Sequence, residues 1–323
     1  FGGGYDAGQD GSDYRLDRVG NAVYMVDLDT GTLLWSAGAA DAADEHDLVL
    51  ADMRHSIPAA LRVVDLTRDG RADRMYVGDM GGRVWRFDIL NDQPARTLVE
   101  GGVFASLGGA AVGDGAGPAD LRRFYATPDV VPITRLGQVV LTVNLGSGHR
   151  GHPLDTAIDE AFFSLRDLAS LRVIPTGEYG PPITVNQLVD VTTNTAPTLP
   201  LNALGWRLRL VAGAGEKVLG ESLTIRNNLF FTSFTPGSST GACVAAVGIN
   251  RLYQVSLFDG SPLTNLDTVT TELEARDRYV ELGAAATGLE PVAVFSRRVG
   301  EAGEQVADLR VCVGMECRDL APL

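Results

Sequence analysis

The chain has 323 residues, 45% of them hydrophobic and 21% charged, enough apolar material for a substantial core. Its 27 basic and 41 acidic residues leave a formal charge of −14, which repels phosphate backbones and anionic lipid while favouring cations such as calcium. No run approaches the roughly 20 apolar residues that span a bilayer, so neither nucleic-acid binding nor membrane insertion is expected. The opening Phe1-Gly-Gly-Gly-Tyr5 has no initiator Met and no signal-peptide pattern, and reads as part of a longer protein.

Short β-branched or aromatic runs, punctuated by Asp-Gly, Gly-Gly and Thr-Gly, predict hairpin-connected antiparallel strands with little helix. Residues 22–27 form a strand leading into the turn Asp29-Thr-Gly31, where glycine supplies a positive φ, and residues 32–35 return. The same grammar recurs at 74–77, the turn 78–82 and 84–87, and again at 251–257 followed by Phe258-Asp-Gly260. Such repeats predict an all-β fold, a modified β-propeller with quinoprotein-like blades, seven in number and interrupted by irregular insertions. Two stretches read as insertions: the small-residue run 101–117, and 157–171, with a helix around residues 161–165. Residues 181–200, rich in Thr, Asn and Pro, predict a surface connection or an edge strand, so residues 1–323 are assigned to a single domain.

The most informative segment is Asp65-Leu-Thr-Arg-Asp-Gly-Arg-Ala-Asp73. Side-chain oxygens recur at its positions one, three, five and nine, and glycine stands at six for a sharp turn, as in an EF-hand loop cut short. Calcium takes six to eight oxygen ligands, and Asp65, Thr67, Asp69, the Arg71 carbonyl and Asp73 are the candidate set. Thr67 stands where a carboxylate or amide is usual, and Tyr76 where an EF-hand carries a bidentate glutamate. Three carboxylates place the affinity toward roughly 10⁻⁵ to 10⁻³ M. The bland alternative is an Asp-rich solvated turn.

Other motifs carry less. Gly237-Ser-Ser239-Thr-Gly241 has the letters of a nucleophile elbow, but residues 242–247 continue as strand where a helix is required. His149 and His152 lack a third ligand at metal spacing, and Gly146-Ser-Gly-His-Arg150 reads as a surface turn. Gly213-Ala-Gly-Glu-Lys217 lacks the spacing of a phosphate loop and predicts a tight turn. Trp35, Trp85 and Trp206 lie in strand contexts that suit the core, and His55 reads as a packed histidine. Of three cysteines, Cys312 and Cys317 are placed to bridge across a short hairpin in an oxidising compartment, leaving Cys243 over.

Several separated stretches resemble the PilY-type proteins associated with the tip and assembly of type IV pili in Gram-negative bacteria. They are Gly20-Asn-Ala-Val-Tyr-Met25 with Thr30-Gly-Thr-Leu-Leu-Trp35; His55-Ser-Ile-Pro58 followed by the 65–73 loop; and residues 73–79 with Gly81-Gly-Arg-Val-Trp-Arg86. Further on come Gly146-Ser-Gly-His-Arg150, His152-Pro-Leu-Asp155 and Gly215-Glu-Lys-Val-Leu219, in the family's order up to about residue 260. The resemblance implies a modified propeller at the C-terminal end of a larger secreted protein, at the cell surface or pilus tip. It implies a calcium role for Asp65, Asp69 and Asp73 in pilus extension and retraction, surface attachment and twitching motility. Pilin, minor pilins and a host or abiotic surface are the implied partners, and no enzymatic activity is expected.

A quinoprotein-type dehydrogenase is the rival from another class, because Thr-Gly-x-Leu-Leu-Trp hairpins also occur there and its redox cofactor uses calcium. Against it, the chain has no adjacent cysteine pair, and its acidic residues lie on a linear loop. A carbohydrate- or protein-binding propeller unrelated to pili shares the fold.

Overall fold

The computed structural model describes residues 1–40, 45–109, 117–135, 137–237, 248–266, 270–282, 290–299, 305–314 and 316–319. Short strands dominate them. The first sheet comprises β1 (Ala22–Val26), β2 (Leu33–Gly38) and β3 (Leu48–Val49). The second is built on the meander β4 (Arg62–Val64), β5 (Arg74–Gly78), β6 (Arg83–Ile89) and β7 (Val99–Ser106). The third is built on β8 (Asp129–Arg135), β9 (Gln138–Gly146) and β10 (Ala161–Asp167).

Residues 181–200 are a connection that contributes two short edge strands, in keeping with the expected surface connection or edge strand, and these serve two sheets. β11 (Ile183–Thr184) pairs parallel to β7, and β12 (Val189–Asp190) pairs parallel to β13 (Gly205–Arg209), which joins β10. The fourth sheet runs β14 (Leu223–Ile225), β15 (Asn228–Thr235), β16 (Ile249–Ser256) and β17 (Tyr279–Leu282). The fifth is β18 (Pro291–Val299), β19 (Gln305–Val313) and β20 (Glu316–Asp319), in which Cys312 and Cys317 face one another and form a disulfide. Cys243 and residues 238–241 of the Gly237–Gly241 motif lie outside the described residues.

These five open sheets pack face to face in chain order, and the two-residue period of a strand explains how. On β5, Met75 and Val77 enter the core shared with the first sheet, whereas Tyr76 enters the core shared with the third. On β10, Phe162 faces the fourth sheet while Phe163 and Leu165 face the second. On β15, Leu229 and Phe231 pack toward the third sheet and Phe230 toward the fifth. Strands β5, β6, β9, β10 and β15 are buried on both faces, with buried polar and charged residues set among the apolar ones. The three tryptophans fill these interfaces as expected, Trp35 and Trp85 in one and Trp206 in another.

Three sequence expectations are corrected. Residues 161–165 belong to strand β10, because Ala161, Phe163 and Leu165 alternate with Phe162 between two cores. The glycine-rich start of the 101–117 run is part of β7: a side chain at Gly102 would stand 2.6 Å from the Tyr179 ring, and one at Gly101 2.5 Å from Phe87. Residues 110–116 of that run are outside the described residues. His149 is fully buried and not part of a surface turn.

Candidate functional site

The 65–73 loop closes the β4–β5 hairpin, where the chain folds inward on its own carboxylates. Asp65 Oδ1 accepts the backbone N–H of Arg68 at 2.6 Å and of Asp69 at 3.3 Å, and Oδ2 accepts that of Gly70 at 2.9 Å. Asp73 Oδ2 accepts from Leu66 at 2.6 Å and Thr67 at 3.0 Å, and Asp69 Oδ1 from Arg71 at 2.9 Å. The Thr67 hydroxyl donates to Asp65 at 3.4 Å. The Gly70 N–H is the largest cause holding the Asp65 carboxyl below the usual carboxylate range, since hydrogen bonds to the ionised form favour it. Gly70 has φ +86° and Arg68 φ +61°, so the sharp turn uses one glycine and one residue for which that conformation costs about 1 kcal/mol.

The foot of the loop is tied down. Asp73 N–H donates to Val64 at 2.9 Å, Ile89 N–H donates to Asp73 at 2.8 Å, and the Asn91 amide donates to Ala72 at 3.1 Å. Arg71, expected to lend its carbonyl, also uses its guanidinium: it meets both oxygens of Asp92 at 2.8 Å. Asp92 escaped sequence reading because the hydrogen bond spans 21 residues, although an Asp at φ +68° marks a turn.

In kind, three carboxylates, a hydroxyl and a backbone carbonyl on one short loop suit a hard cation such as calcium. In arrangement, among the described residues no group of three or more His, Cys, Asp or Glu side chains is already gathered as a metal site. Asp65 and Asp73 are turned onto the loop's amides, so a cation would share oxygens that now hold N–H donors.

One residue beyond the loop, the chemistry changes from exposed to buried. Arg74, Arg86, Asp88 and Asp167 form a charge-balanced cluster with side chains no more than 3% exposed. Arg86 bonds Asp167 at 2.8 Å and Asp88 at 3.0 Å, Arg74 bonds Asp88 and the Ser170 carbonyl, and the Tyr76 hydroxyl donates to Asp167 at 2.5 Å. Burial first, then the Asp167 charge, push the Tyr76 hydroxyl well above its ordinary pKa. The cluster fastens residues 167–174 to the second sheet, and the loop therefore stands on a rigid base. Its members are 74–167 in sequence, a juxtaposition that spacing does not reveal.

The remaining candidate residues are structural. His149 Nε2 lies 3.0 Å from the Gln9 carbonyl, its ring 5.0 Å from that of His152, and burial lowers its pKa to about 4. Lys217 ends the expected tight turn, its ammonium donating to the carbonyls of Pro153 at 3.0 Å, Asp155 at 2.7 Å and Gly215 at 2.6 Å. His55 is buried beside Tyr14, ring centroids 5.6 Å apart. Glu160 is fully enclosed, neither oxygen meeting a hydrogen-bond partner, and burial raises its pKa to about 7 against the opposing pull of Ser147, Arg122 and Lys217.

The fold defines a predominantly β domain of stacked open sheets, with an acidic hairpin loop seated on a buried ionic base. No family model matches the chain. In sequence it is 25% identical over 278 residues to the type IV pilus biogenesis factor PilY1 homolog of Xylella fastidiosa, an alignment taking in 77% of this chain. The chain spans only 17% of that relative's length. In fold it is similar to the crystal structure of the Pseudomonas aeruginosa PilY1 C-terminal domain, with a TM-score of 0.56 and 16% identity over 92% of this chain and 65% of that one. The chain is thus similar in sequence to a PilY1 homolog and in fold to a PilY1 C-terminal domain.

Proposed function

We propose that this domain serves a type IV pilus biogenesis protein as a calcium-responsive binding module and not as an enzyme. The observation that carries the reading is the 65–73 loop: three carboxylates on a short hairpin tip whose foot is fixed, in a chain similar to a protein named for pilus biogenesis. Calcium would be held by Asp65, Asp69 and Asp73 with Thr67 and the Arg71 carbonyl, and would supply charge neutralisation at the tip. Binding is then an exchange: Asp65 and Asp73 release amide bonds in proportion to the oxygens they give the ion. A partner that prefers the ion-bound loop is favoured by calcium to the extent of its differential affinity.

Pilin or minor pilins are the proposed partners, with a role in extension and retraction, surface attachment and twitching motility, and the proposed location is the pilus tip or cell surface. The modified, seven-bladed propeller belongs to the same proposal; its support is the five open sheets stacked so that alternate residues enter alternate cores.

Calorimetric titration with calcium, with magnesium as the control ion, tests the site. One saturable calcium-selective event, abolished in an Asp65→Ala, Asp69→Ala double variant that still unfolds cooperatively, is expected. Absence of calcium binding up to the millimolar range, or a double variant that binds as well as the parent, overturns the calcium reading.

A further inference from the structure

On a chain of net charge −14, three arginines line one cavity, away from the 65–73 loop. The alternation of β13 puts them there. Trp206 and Leu208 enter the core shared with the fourth sheet, so Arg207 and Arg209 project from the opposite face. Their register partners on β10, Phe163 and Ala161, make the floor. Arg122 forms a wall, fixed by bonds from Nε to the Asp159 carbonyl at 2.6 Å and from Nη1 to the Leu107 carbonyl at 3.1 Å. The space enclosed is about 270 Å³, and Asp159 is the only acidic residue on its lining among the described residues.

Arg207 is incompletely satisfied. Arg207 reaches Asp190 at 3.2 Å through Nη2, but its Nε is buried without a hydrogen-bond partner. Arg209, also on the lining, is exposed to solvent and lies within electrostatic reach of Asp190. Arg122 is buried, and burial lowers its pKa against the opposing charges of Glu160, Asp120 and Asp159, with a smaller lowering from Arg207. A buried N–H donor left unpaired costs about 1–3 kcal/mol, more when charged, and an anion accepting from Arg207 Nε relieves that cost.

We propose that this cavity binds a carboxylate, received by Arg207 and Arg209 over the Phe163–Ala161 floor with Arg122 as the fixed wall. The planar guanidinium fork matches a carboxylate through paired N–H donors. Asp159 on the lining, Asp190 on Arg207 and Asp120, 3.7 Å from Arg122, already offset much of the positive charge, which favours a monoanion over a doubly charged phosphate. The site is independent of the calcium loop, and its test does not involve calcium.

The test is a calorimetric titration at neutral pH and constant ionic strength with acetate, triglycine, triglycine amide and inorganic phosphate. Saturable binding of triglycine, with none of its amide, is expected. In Arg209→Gln, which changes an exposed side chain, the same titration should be weakened about tenfold or more, the worth of a hydrogen bond to a charged group. Arg207→Gln should weaken it similarly. Triglycine binding tighter than acetate assigns the carboxylate to a polypeptide, and equal binding assigns it to small carboxylic acids. No saturable binding of either, phosphate binding tighter than both, or unchanged binding in Arg209→Gln with its unfolding midpoint preserved overturns the proposal.

Discussion

Asp73 and Arg74 are neighbours in sequence, yet they belong to opposite electrostatic regimes. The 65–73 loop holds its carboxylates at or near the solvent and satisfies them with its own amides, so each charge is cheap. The Arg74, Arg86, Asp88 and Asp167 cluster is shut between two sheets and held by interlocking pairs and carbonyls. In the first regime a charge is free to exchange partners. In the second, losing one partner strands the others in a medium of low dielectric.

The largest effect is expected where the buried set is broken. Asp167→Ala leaves Arg74 and Arg86 facing only Asp88 and deprives the Tyr76 hydroxyl of its acceptor. Chemical denaturation should show a loss of about 3–5 kcal/mol, the usual consequence of removing one partner from a buried ionic group. A loss below 1 kcal/mol would mean that water reaches the cluster and that the two regimes are not distinct.

Glu160 sharpens the contrast, being buried like Asp167 but without a hydrogen-bond partner. Its folded pKa of about 7 lies above the ordinary glutamate value, so the folded state holds the proton more tightly. The stabilisation is full below about pH 4.5 and is lost as pH rises through 7. His149, lowered to about 4, has the opposite sign: its contribution is present above 6.5 and is lost as pH falls through 4. Glu160→Gln should therefore remove the decline between pH 5 and 8 and raise stability at pH 8 by roughly 1–3 kcal/mol, visible as a higher unfolding midpoint. An unchanged pH profile would place the carboxyl in contact with water.

These differences also mark how far the sequence could be read. The hairpins at β1–β2 and β5–β6, the inward tryptophans, the Cys312–Cys317 bridge and the position of the acidic loop were legible, because each depends on local alternation or turn chemistry. β10 was misread because a strand buried on both faces loses its polar alternation and looks like a short helical run. The burial of His149 against Gln9, 140 residues away, and the gathering of Arg122 with Arg207 and Arg209 belong to tertiary packing, for which a single sequence carries no periodic signal.

The loop itself should respond more in chemistry than in stability. Asp65→Ala removes the acceptor for the amides of Arg68, Asp69 and Gly70, all at a solvent-exposed tip where water replaces it. The global unfolding midpoint should hardly move, whereas amide exchange at residues 68–70 should accelerate and the proposed calcium binding should vanish. Because hydrogen bonds lower the Asp65 pKa, its small contribution is present above the ordinary aspartate pKa and fades as pH falls through the folded value. Unaltered exchange at those amides would show that the turn does not depend on Asp65.

The smallest effect is expected at Arg71. Its paired bonds to Asp92 have good geometry, but both side chains are exposed, 47% and 79%, and exposed pairs are screened and carry the entropy of ordering two side chains. A double-mutant cycle with Arg71→Ala and Asp92→Ala should give a coupling that disappears in high salt. The Arg71→Ala variant keeps the backbone carbonyl that calcium would use, so calcium affinity should be retained or slightly raised by the loss of a nearby positive charge. If affinity instead falls, the guanidinium is positioning the loop through Asp92, and the hairpin tip is less self-contained than its internal hydrogen bonds imply.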